Sequence, residues 1–366
     1  MSLISKHRGG LMGLFDNMLK DSESLFLNSD ALDPDFIPKL IPHRENETHY
    51  IADVMKPLFQ KRSGRNLFIT GKPGIGKTVA IKHIFKELEG KTDDIVPFYI
   101  NCWKKNTMYK IVLDLCDQLG YKWVQNRKAD ELWSEVVKLI NKKSAVFCFD
   151  EVDKLDDVSI LYAVCDDVYR KVVLLVTNDR SWMSSLDHRI RSRLIPESLD
   201  FRPYNYNETR DILSQRMEYA FVRNVWSDDA FNLVVENAHK LQDIRTGLFL
   251  MRESANFAEM ASSRKVLVPH TEKAVSKISD FKLRSTDSLE DEEKDILRII
   301  KENSGKAASE IYDVYKGSYD KSYRTFQRKV SDMEKAGLIS IKDGISDKGG
   351  KQSLIFFSVK DLSEFK

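Results

Sequence analysis

The first half of the chain alternates between two patterns of hydrophobic residues. Near-continuous apolar runs predict strands at Leu67–Thr70, Val96–Asn101, Ser144–Glu151, Lys171–Asn178 and Glu197–Phe201. Apolar positions three and four residues apart predict helices at Arg44–Lys61, Val79–Leu88, Thr107–Leu119, Asp130–Asn141 and Val158–Tyr169. Strands without polar alternation are buried on both faces, so this order predicts an α/β fold, with a parallel sheet between two layers of helices.

From Asn205 onward the pattern is mainly helical. Four helices are predicted at Asn207–Val222, Asp228–Lys240, Asp243–Ser263 and Pro269–Phe281, followed by a linker at Arg284–Ser288. Three further helical patterns, Leu289–Asn303, Ala307–Tyr315 and Lys321–Ala336, precede two strand-like runs, Gly337–Lys342 and Leu354–Val359. Three helices followed by a β-hairpin form the winged-helix arrangement.

These patterns divide the chain into four parts. We predict an N-terminal arm at 1–35, an α/β base domain at 36–203, a helical domain at 204–284 and a winged-helix domain at 285–366. The arm has no clear periodicity, and we expect it to be partly mobile.

The sequence Gly71-Lys72-Pro73-Gly74-Ile75-Gly76-Lys77-Thr78 matches the phosphate-binding pattern G-x-x-x-x-G-K-[ST]. It lies between a predicted strand and a predicted helix, where backbone N–H groups and the helix N-terminus can converge on phosphate oxygens. Lys77 suits the β- and γ-phosphates, and the Thr78 hydroxyl suits Mg²⁺. The alternative is a chance glycine-rich turn. We predict a site for ATP or ADP with Mg²⁺, lined by Pro73, Gly74, Ile75, Gly76, Lys77, Thr78 and Val79.

Two carboxylates, Asp150 and Glu151, end the third predicted strand. Asp150 can hold Mg²⁺ there and Glu151 can polarise an attacking water; the alternative is a helix with two acids in its first turn. Asn178 ends the next strand, at the edge of the sheet where ligands collect. Its amide either acts on water near the γ-phosphate or serves as a turn former or helix cap.

Several arginine residues have two interpretations. Arg189, Arg191 and Arg193 occupy alternate positions within 186–196. Either they form a solvated basic helix face, or one of them stabilises the charge of the transition state. Arg245 lies in the first turn of a predicted helix, where a cation is unfavourable for the helix dipole. This favours a use of Arg245 on a nucleotide.

Composition indicates an intracellular globular protein. The 366 residues carry a net charge of +2, so nucleic-acid binding would need a local basic patch. No apolar run approaches the roughly eighteen residues of a membrane span, so we expect no membrane partner and a cytoplasmic, nucleoid-associated location. The cysteines lack C-x-x-C spacing, and we expect reduced core residues. They are Cys102, Cys116, Cys148 and Cys165.

The predicted winged helix carries such a patch. Between Lys316 and Lys351, nine basic and five acidic residues leave a local charge of +4, which suits contacts with DNA phosphates. The alternative is a winged helix that binds protein. The residues predicted to bind DNA are Lys321, Arg324, Arg328, Lys329, Lys342, Lys348 and Lys351.

Taken in order, the motifs resemble those of the archaeal origin-recognition initiators. These are AAA+ proteins related to the eukaryotic origin recognition complex and its licensing factor. The likeness covers nearly the whole chain from Asp33, and it implies an AAA+ base, a helical lid and a DNA-binding winged helix. It is carried by Pro42–Glu45, Gly71–Thr78, Asp150–Asp153, Thr177-Asn178, Leu186–Leu194, Asp243–Arg245 and the winged helix.

The resemblance also implies roles for single residues. Asp150 and Glu151 would be the Walker B pair, Asn178 sensor 1 and Arg245 sensor 2. The segment before Arg44 would contact adenine, and Ile37 and Arg44 are the residues of this region predicted to bind the nucleotide. The arginine finger would be either Arg189 or Arg193. The family inserts a helical element of the base domain into DNA, and here Lys122, Trp123 and Arg127 would form its tip, although a lone tryptophan is more often core.

The resemblance predicts a nucleotide-switched binder of double-stranded origin DNA that hydrolyses ATP slowly. Its implied partners are a second related initiator on adjacent sites and the replicative helicase. One departure is Gln242-Asp243-Ile244-Arg245, where the family usually has Gly-Asp-Ala-Arg. Two alternatives are a ring-forming branch-migration ATPase and a signalling ATPase whose winged helix binds protein or regulates transcription.

Overall fold

The computed structural model describes residues 24–287, 291–319, 321–335, 339–345 and 351–357. The chain divides into two structural units, residues 1–275 and residues 276–366. The predicted base domain and most of the predicted lid fall in the first unit. Across the described residues, no helix combines the length and the apolar composition that crossing a bilayer requires.

A five-stranded parallel sheet forms the centre of the first unit, and all five predicted strands are confirmed. The strands lie in the order β2-β3-β4-β1-β5. Asp150 at the end of β3 pairs with Asn101 at the end of β2, and Thr70 at the end of β1 pairs with Thr177 at the end of β4. Their carboxyl ends therefore meet at one edge. The strands are β1 (Leu67–Thr70), β2 (Ile95–Asn101), β3 (Ser144–Asp150), β4 (Lys171–Thr177) and β5 (Glu197–Asp200).

Helices cover both faces of this sheet, as the burial of β3 on both sides requires. Phe147 and Phe149 belong to one hydrophobic cluster, whereas the intervening Val146 and Cys148 belong to the other. The five predicted helices of this region are confirmed, α7 carries the arginines of the segment 186–196, and α6 is a short addition. The helices are α1 (Glu45–Phe59), α2 (Lys77–Glu89), α3 (Met108–Gln118), α4 (Ala129–Ile140), α5 (Ser159–Asp167), α6 (Trp182–Ser185) and α7 (His188–Leu194).

Four helices follow the sheet, each close to its predicted position. Side chains cap the first three: Asn205 with Glu208 in a capping box, then Ser227 and Asp243. The predicted linker at 284–288 is wrong for 284–287, because the last helix continues to Asp287 through a stretch without glycine or proline. The helices are α8 (Tyr206–Ala220), α9 (Asp228–Leu241), α10 (Ile244–Met260) and α11 (Val268–Asp287).

The segment 24–43, which we call the strap, packs against α8 and the end of α10. Phe26 pairs with Phe221 after α8, and the Leu25 N–H donates to the Glu259 carboxylate over 2.8 Å. Leu25 and Leu32 are buried. Residues 24–35 of the predicted arm therefore make long-range contacts although the stretch is non-periodic. The partial mobility of the arm stays a prediction, and residues 1–23 lie outside the described residues.

The second unit has the predicted element order. Helices α12 (Asp291–Glu302), α13 (Ala308–Ser318) and α14 (Tyr323–Lys335) precede an antiparallel pair, β6 (Ile339–Ile345) and β7 (Lys351–Phe357). Its core includes Ile300, Ile311, Tyr315, Phe326 and Ile355. Each helix contributes one apolar side, so this small unit has its own hydrophobic core.

One carboxylate links three elements of the second unit. Glu292 on α12 accepts hydrogen bonds from the hydroxyl of Tyr315 on α13 (2.5 Å) and from the ammonium of Lys321 (2.6 Å). The ammonium of Lys329 on α14 lies 3.5 Å from the same carboxylate. The hydrogen bond from Lys321, followed by that from Tyr315, lowers the pKa of Glu292 to about 2.

We expect Glu292→Gln to lower the free energy of unfolding of the second unit by about 1.5–3 kcal/mol at pH 7, because a charge-assisted network is lost. The folded-state pKa is depressed, so this contribution is complete above about pH 4.5 and disappears as pH falls towards 2. Urea unfolding followed by pulse proteolysis of the full chain, with mass spectrometry of peptides from 291–357, would measure it. Glu302→Gln, at an exposed position on the same helix, is the control. Equal losses at pH 7 and pH 2 would contradict the assignment.

Candidate nucleotide site and nucleic-acid surfaces

The loop between β1 and α2 has the backbone conformation of a phosphate-binding loop. Gly74 and Gly76 have φ values of +71° and +89°, which side-chain-bearing residues rarely adopt. Gly76 is the N-cap of α2, so the helix begins at Lys77 and directs its free N–H groups into the loop. Anions are favoured at such a helix end.

Lys77 places its ammonium at the centre of this loop. The group donates to the carbonyls of Gly71 (2.5 Å) and Lys72 (2.8 Å) and to Oδ1 of Asn178 (2.6 Å). Burial lowers the pKa of Lys77 to about 8, although the carboxylate of Asp150 opposes this. Lys77 is therefore a desolvated cation whose three hydrogen-bond acceptors are neutral.

The two acids after β3 have different environments. Oδ2 of Asp150 accepts a hydrogen bond from the Thr78 hydroxyl over 2.6 Å, and its Oδ1 accepts the Glu151 N–H. Glu151 has a left-handed backbone with φ +54°. Burial, reinforced by Asp150 and Asp153, raises the pKa of Glu151. A hydroxyl and a carboxylate oxygen in contact form a donor set that fits Mg²⁺.

Asn178 follows β4 at the same edge of the sheet. Its side-chain oxygen accepts from Lys77, whereas Oδ1 of the next residue, Asp179, accepts the Ser181 N–H in the turn. The structure therefore places the Asn178 amide beside the loop lysine and gives the turn-forming contact to Asp179.

The start of α10 lies against the loop. The Ile244 N–H donates to the carbonyl of Gly74 over 3.1 Å, and the Lys72 ammonium donates to Oε1 of Gln242 over 2.5 Å. Asp243 caps the helix and also holds the guanidinium of Arg245, with an Nη2–Oδ2 distance of 2.7 Å. This hydrogen bond raises the pKa of Arg245. The lid is thus in direct contact with the phosphate-binding loop.

A cavity of about 280 Å³ connects these groups to the strap. Arg245, Asn178, Asp150, Glu151 and residues 73–79 of the loop line one part of it. The strap contributes Pro34, Asp35, Pro38, Ile41 and Pro42, and the helices α8 and α10 contribute Ile212, Gln215, Arg216 and Leu248. Ile37, predicted to bind nucleotide, is not a lining residue; its neighbour Pro38 and Ile41 are.

The buried guanidinium of Arg216 holds the strap against α8. It donates to the carbonyls of Ala31 (3.3 Å) and Phe36 (3.0 Å) and lies over the Phe36 ring. Burial lowers the pKa of Arg216 to about 10. No sequence motif marks Arg216, because its acceptors are carbonyls about 180 positions earlier in the chain.

Arg44 was predicted to contact the nucleotide, but the structure buries it away from the cavity lining. It is 0% exposed, is not a lining residue, and donates to the Tyr204 hydroxyl (3.0 Å) and the carbonyls of Ile75 (3.0 Å) and Arg202 (2.6 Å). The prediction that Arg44 contacts nucleotide is therefore corrected: its guanidinium connects α1, the phosphate-binding loop and the chain after β5.

The two candidate finger arginines lie on α7, away from the cavity lining. Arg193 pairs with Asp166 and lies over the Tyr162 ring at 4.8 Å, while Arg189 is solvent-exposed. Neither lines the cavity of its own chain, and the choice between Arg189 and Arg193 as arginine finger stays open.

The predicted DNA tip of the base domain is only partly exposed. Trp123 is 80% exposed, so the alternative of a core tryptophan is wrong, and Lys122 is also exposed. Arg127 instead donates to the Tyr121 hydroxyl over 2.8 Å and is half-buried. The exposed part of the predicted tip therefore consists of Lys122 and Trp123.

The basic residues of the second unit separate into two sets. Arg324 and Arg328, four positions apart on α14, are both exposed. Lys329 is only 9% exposed and lies beside Glu292, and Lys321 also pairs with Glu292, so these two lysines have partners within the unit. The prediction of Lys329 as a free phosphate contact is corrected. The side chains of Lys342, Lys348 and Lys351 lie outside the described residues.

A P-loop after β1, paired acids at the end of β3, a polar residue after β4 and an arginine from the helices that follow the sheet form the arrangement of an AAA+ ATPase. Family models agree: an AAA domain matches residues 60–181 and a Cdc6 AAA+ ATPase-type lid domain matches residues 210–276. The class predicted from the sequence is confirmed.

Comparison with known proteins gives the family. The ORC1-type DNA replication protein 1 of Archaeoglobus fulgidus is 31% identical over 345 residues, which span 88% of this chain and 84% of that protein. The ORC1 protein of Aeropyrum pernix, solved in complex with DNA, has a similar fold, with a TM-score of 0.68 at 23% identity over 91% of this chain and 94% of that one. The ORC2 protein of the same organism, solved in ADPNP and ADP complexes, gives a TM-score of 0.70 at 19% identity over 92% and 94%. The chain belongs to the family of ORC1-type DNA replication proteins.

The contact between loop and lid can be tested with two glycines of matched conformation. Gly74 has φ +71° and Gly120 has φ +69°, but a Cβ on Gly74 would lie 1.9 Å from Oδ1 of Asp243, whereas one on Gly120 would meet nothing within 4 Å. We expect both alanine variants to pay about 1–2 kcal/mol for the left-handed backbone. Only Gly74→Ala should also displace the start of α10, which hydrogen exchange of the Ile244 amide would detect as about tenfold faster exchange. Equal exchange in the two variants would disprove the contact.

Proposed function

We propose that the protein is a replication initiator that binds ATP or ADP with Mg²⁺ and binds double-stranded origin DNA, with slow hydrolysis as a switch. The observation that carries this proposal is the cavity at which the P-loop, the two acids, Asn178 and the lid arginine meet, in a chain of the ORC1-type family. Relatives of similar fold have been solved with DNA and with ADPNP and ADP.

The buried cation of Lys77 fits a polyphosphate. Its present hydrogen-bond acceptors are carbonyls and an amide, so a phosphate oxygen would give the lysine a charged acceptor in direct contact. Thr78 and Asp150 would hold Mg²⁺, which neutralises phosphate charge when bound. The apolar strap residues Pro38 and Ile41 and the α8 residue Ile212 then suit the base.

Glu151 is the residue that would orient and polarise water. Its raised pKa reflects partial burial, which brings the carboxylate closer to the basicity that a general base needs near neutral pH. Asn178, next to Lys77, would orient the same water or the γ-phosphate.

Two observations support slow turnover. Among the described residues, only three positively charged side chains line the cavity: Lys77, Arg216 and Arg245. Arg245 is held by Asp243, and the candidate fingers Arg189 and Arg193 lie outside the cavity. Within the part of the chain that the structure describes, no candidate arginine finger lines the cavity, and a neighbouring protein, such as a second related initiator, would have to provide one.

Two separate surfaces would bind DNA. Arg324 and Arg328 form an exposed basic pair on α14, the helix that follows the turn of the helix-turn-helix. Lys122 and the exposed Trp123 form the second, where an aromatic side chain beside a cation can enter a minor groove. The replicative helicase is proposed as a partner through the family alone.

A protection footprint on chromosomal origin DNA, with and without ATP, tests the function. We expect a wide protected region whose extent changes with ATP for the wild type. Lys77→Ala should abolish that response and nucleotide retention, because the phosphate loses its buried counter-charge. A footprint that is absent, or identical in all four combinations, would reject a nucleotide-switched initiator; rapid DNA-stimulated hydrolysis by a hexamer would instead support the branch-migration class.

The exposed and the paired residues of α14 should respond differently to substitution. We expect Arg324→Ala and Arg328→Ala each to weaken duplex binding about three- to tenfold and to reduce the salt slope, the dependence of log affinity on log salt, by about 1, with little change in unfolding. Lys329→Ala should instead lower the unfolding temperature, because Glu292 loses a partner. Fluorescence titration at several salt concentrations, paired with thermal unfolding, would separate the two effects. Unchanged duplex binding in both arginine variants would favour a winged helix that binds protein.

A further inference from the structure

Tyr99 is a second donor to the acid that ends β3. It lies on β2, which pairs with β3 in parallel register, and its hydroxyl donates to Oδ2 of Asp150 over 2.7 Å. The same oxygen accepts from the Thr78 hydroxyl over 2.6 Å. Tyr99 also lines the cavity, and neither the P-loop motif nor the paired acids assign it a role.

The hydrogen bonds of Asp150 show what the tyrosine contributes. Oδ1 accepts the Glu151 N–H over 3.0 Å, so the carboxylate has three donors: one backbone N–H and two hydroxyls. Thr78 can bind the cation through its oxygen lone pairs while its O–H still donates to the carboxylate, so its position would depend on the cation as well as on Asp150. Tyr99 donates to the same Oδ2 from β2, outside the P-loop, and therefore fixes the orientation of the carboxylate independently of the cation.

The tyrosine ring is itself held in place. The Lys82 ammonium lies over the ring, 5.0 Å from its centroid, and donates to Oδ1 of Asp35 on the strap over 2.8 Å. A phenol is protonated at physiological pH, so its hydroxyl is available as a donor. The donor is therefore permanent and has a fixed direction.

We propose that Tyr99 is a positioning residue of the nucleotide site: its hydroxyl orients the Asp150 carboxylate for the divalent cation that accompanies the nucleotide. This inference rests on the nucleotide binding proposed above. Partners of this kind behind a metal-binding carboxylate commonly change metal affinity by about 10–100-fold when removed.

The test is a titration of a fluorescent ADP analogue into Tyr99→Phe and wild type, in EDTA and over a range of Mg²⁺ concentrations. The substitution keeps the ring and its contact with Lys82, so we expect the affinity in EDTA to stay within about twofold of wild type. The Mg²⁺ concentration that gives half of the gain in affinity should rise about tenfold or more. On an Asp150→Asn background, the same substitution should have no further effect on the Mg²⁺ midpoint.

Tyr50→Phe is the matched control. The Tyr50 hydroxyl also donates to a carboxylate, that of Glu197 (2.5 Å), but Tyr50 does not line the cavity. We expect the Mg²⁺ concentration that gives half of the gain in affinity, the Mg²⁺ midpoint, to be the same for Tyr50→Phe as for wild type. Unfolding temperatures of all variants would show whether they fold. A Tyr99→Phe midpoint equal to wild type would overturn the inference, and so would an equal loss of affinity with and without Mg²⁺, which would indicate a merely structural role. Failure of the wild type to bind nucleotide would instead overturn the proposed function, and this inference with it.

Discussion

The buried ammonium of Lys77 is the constraint on which the first unit depends. Burial lowers its pKa to about 8 even though Asp150 and Glu151 act in the opposite direction, so desolvation outweighs the nearby acids. Two loop carbonyls and Asn178 surround the group, and these acceptors bring β1, the loop and the end of β4 to one point. The parallel sheet makes this possible because the carboxyl ends of its strands share an edge.

Local motifs made much of this site predictable. The P-loop pattern and the apolar run that ends in Asp150 and Glu151 have fixed spacings, and each depends on a strand and on the residues directly after it. The five strands of the sheet were predictable for the same reason, since burial on both faces gives continuous apolar runs. Asn178 was open between two roles in the sequence, and only the structure shows its amide beside Lys77.

Contacts between distant segments were not predictable from the chain alone. Arg44 belongs to a motif that suggested nucleotide contact, yet its acceptors include residues 158 and 160 positions later, and its guanidinium is fully buried. Lys329 is a different case, because a signal existed: it follows the core residue Phe326 by three positions and precedes Val330, so helical periodicity turns it towards the core. Counting charge without that periodicity grouped it with the exposed Arg324 and Arg328.

Three parts of the chain line the cavity: the base, the lid and the strap, which is attached to both of the others. Arg216 of the lid holds the strap through the carbonyls of Ala31 and Phe36, and Lys82 on α2 holds it through the Asp35 carboxylate. The strap is therefore attached to lid and base at once, through contacts separate from the one between Gly74 and Ile244. A lid that turned away from the loop would have to break the Ile244 hydrogen bond and also pull the strap from one of its two attachments. A ligand that fills the cavity would contact all three parts, so its binding would oppose both changes together.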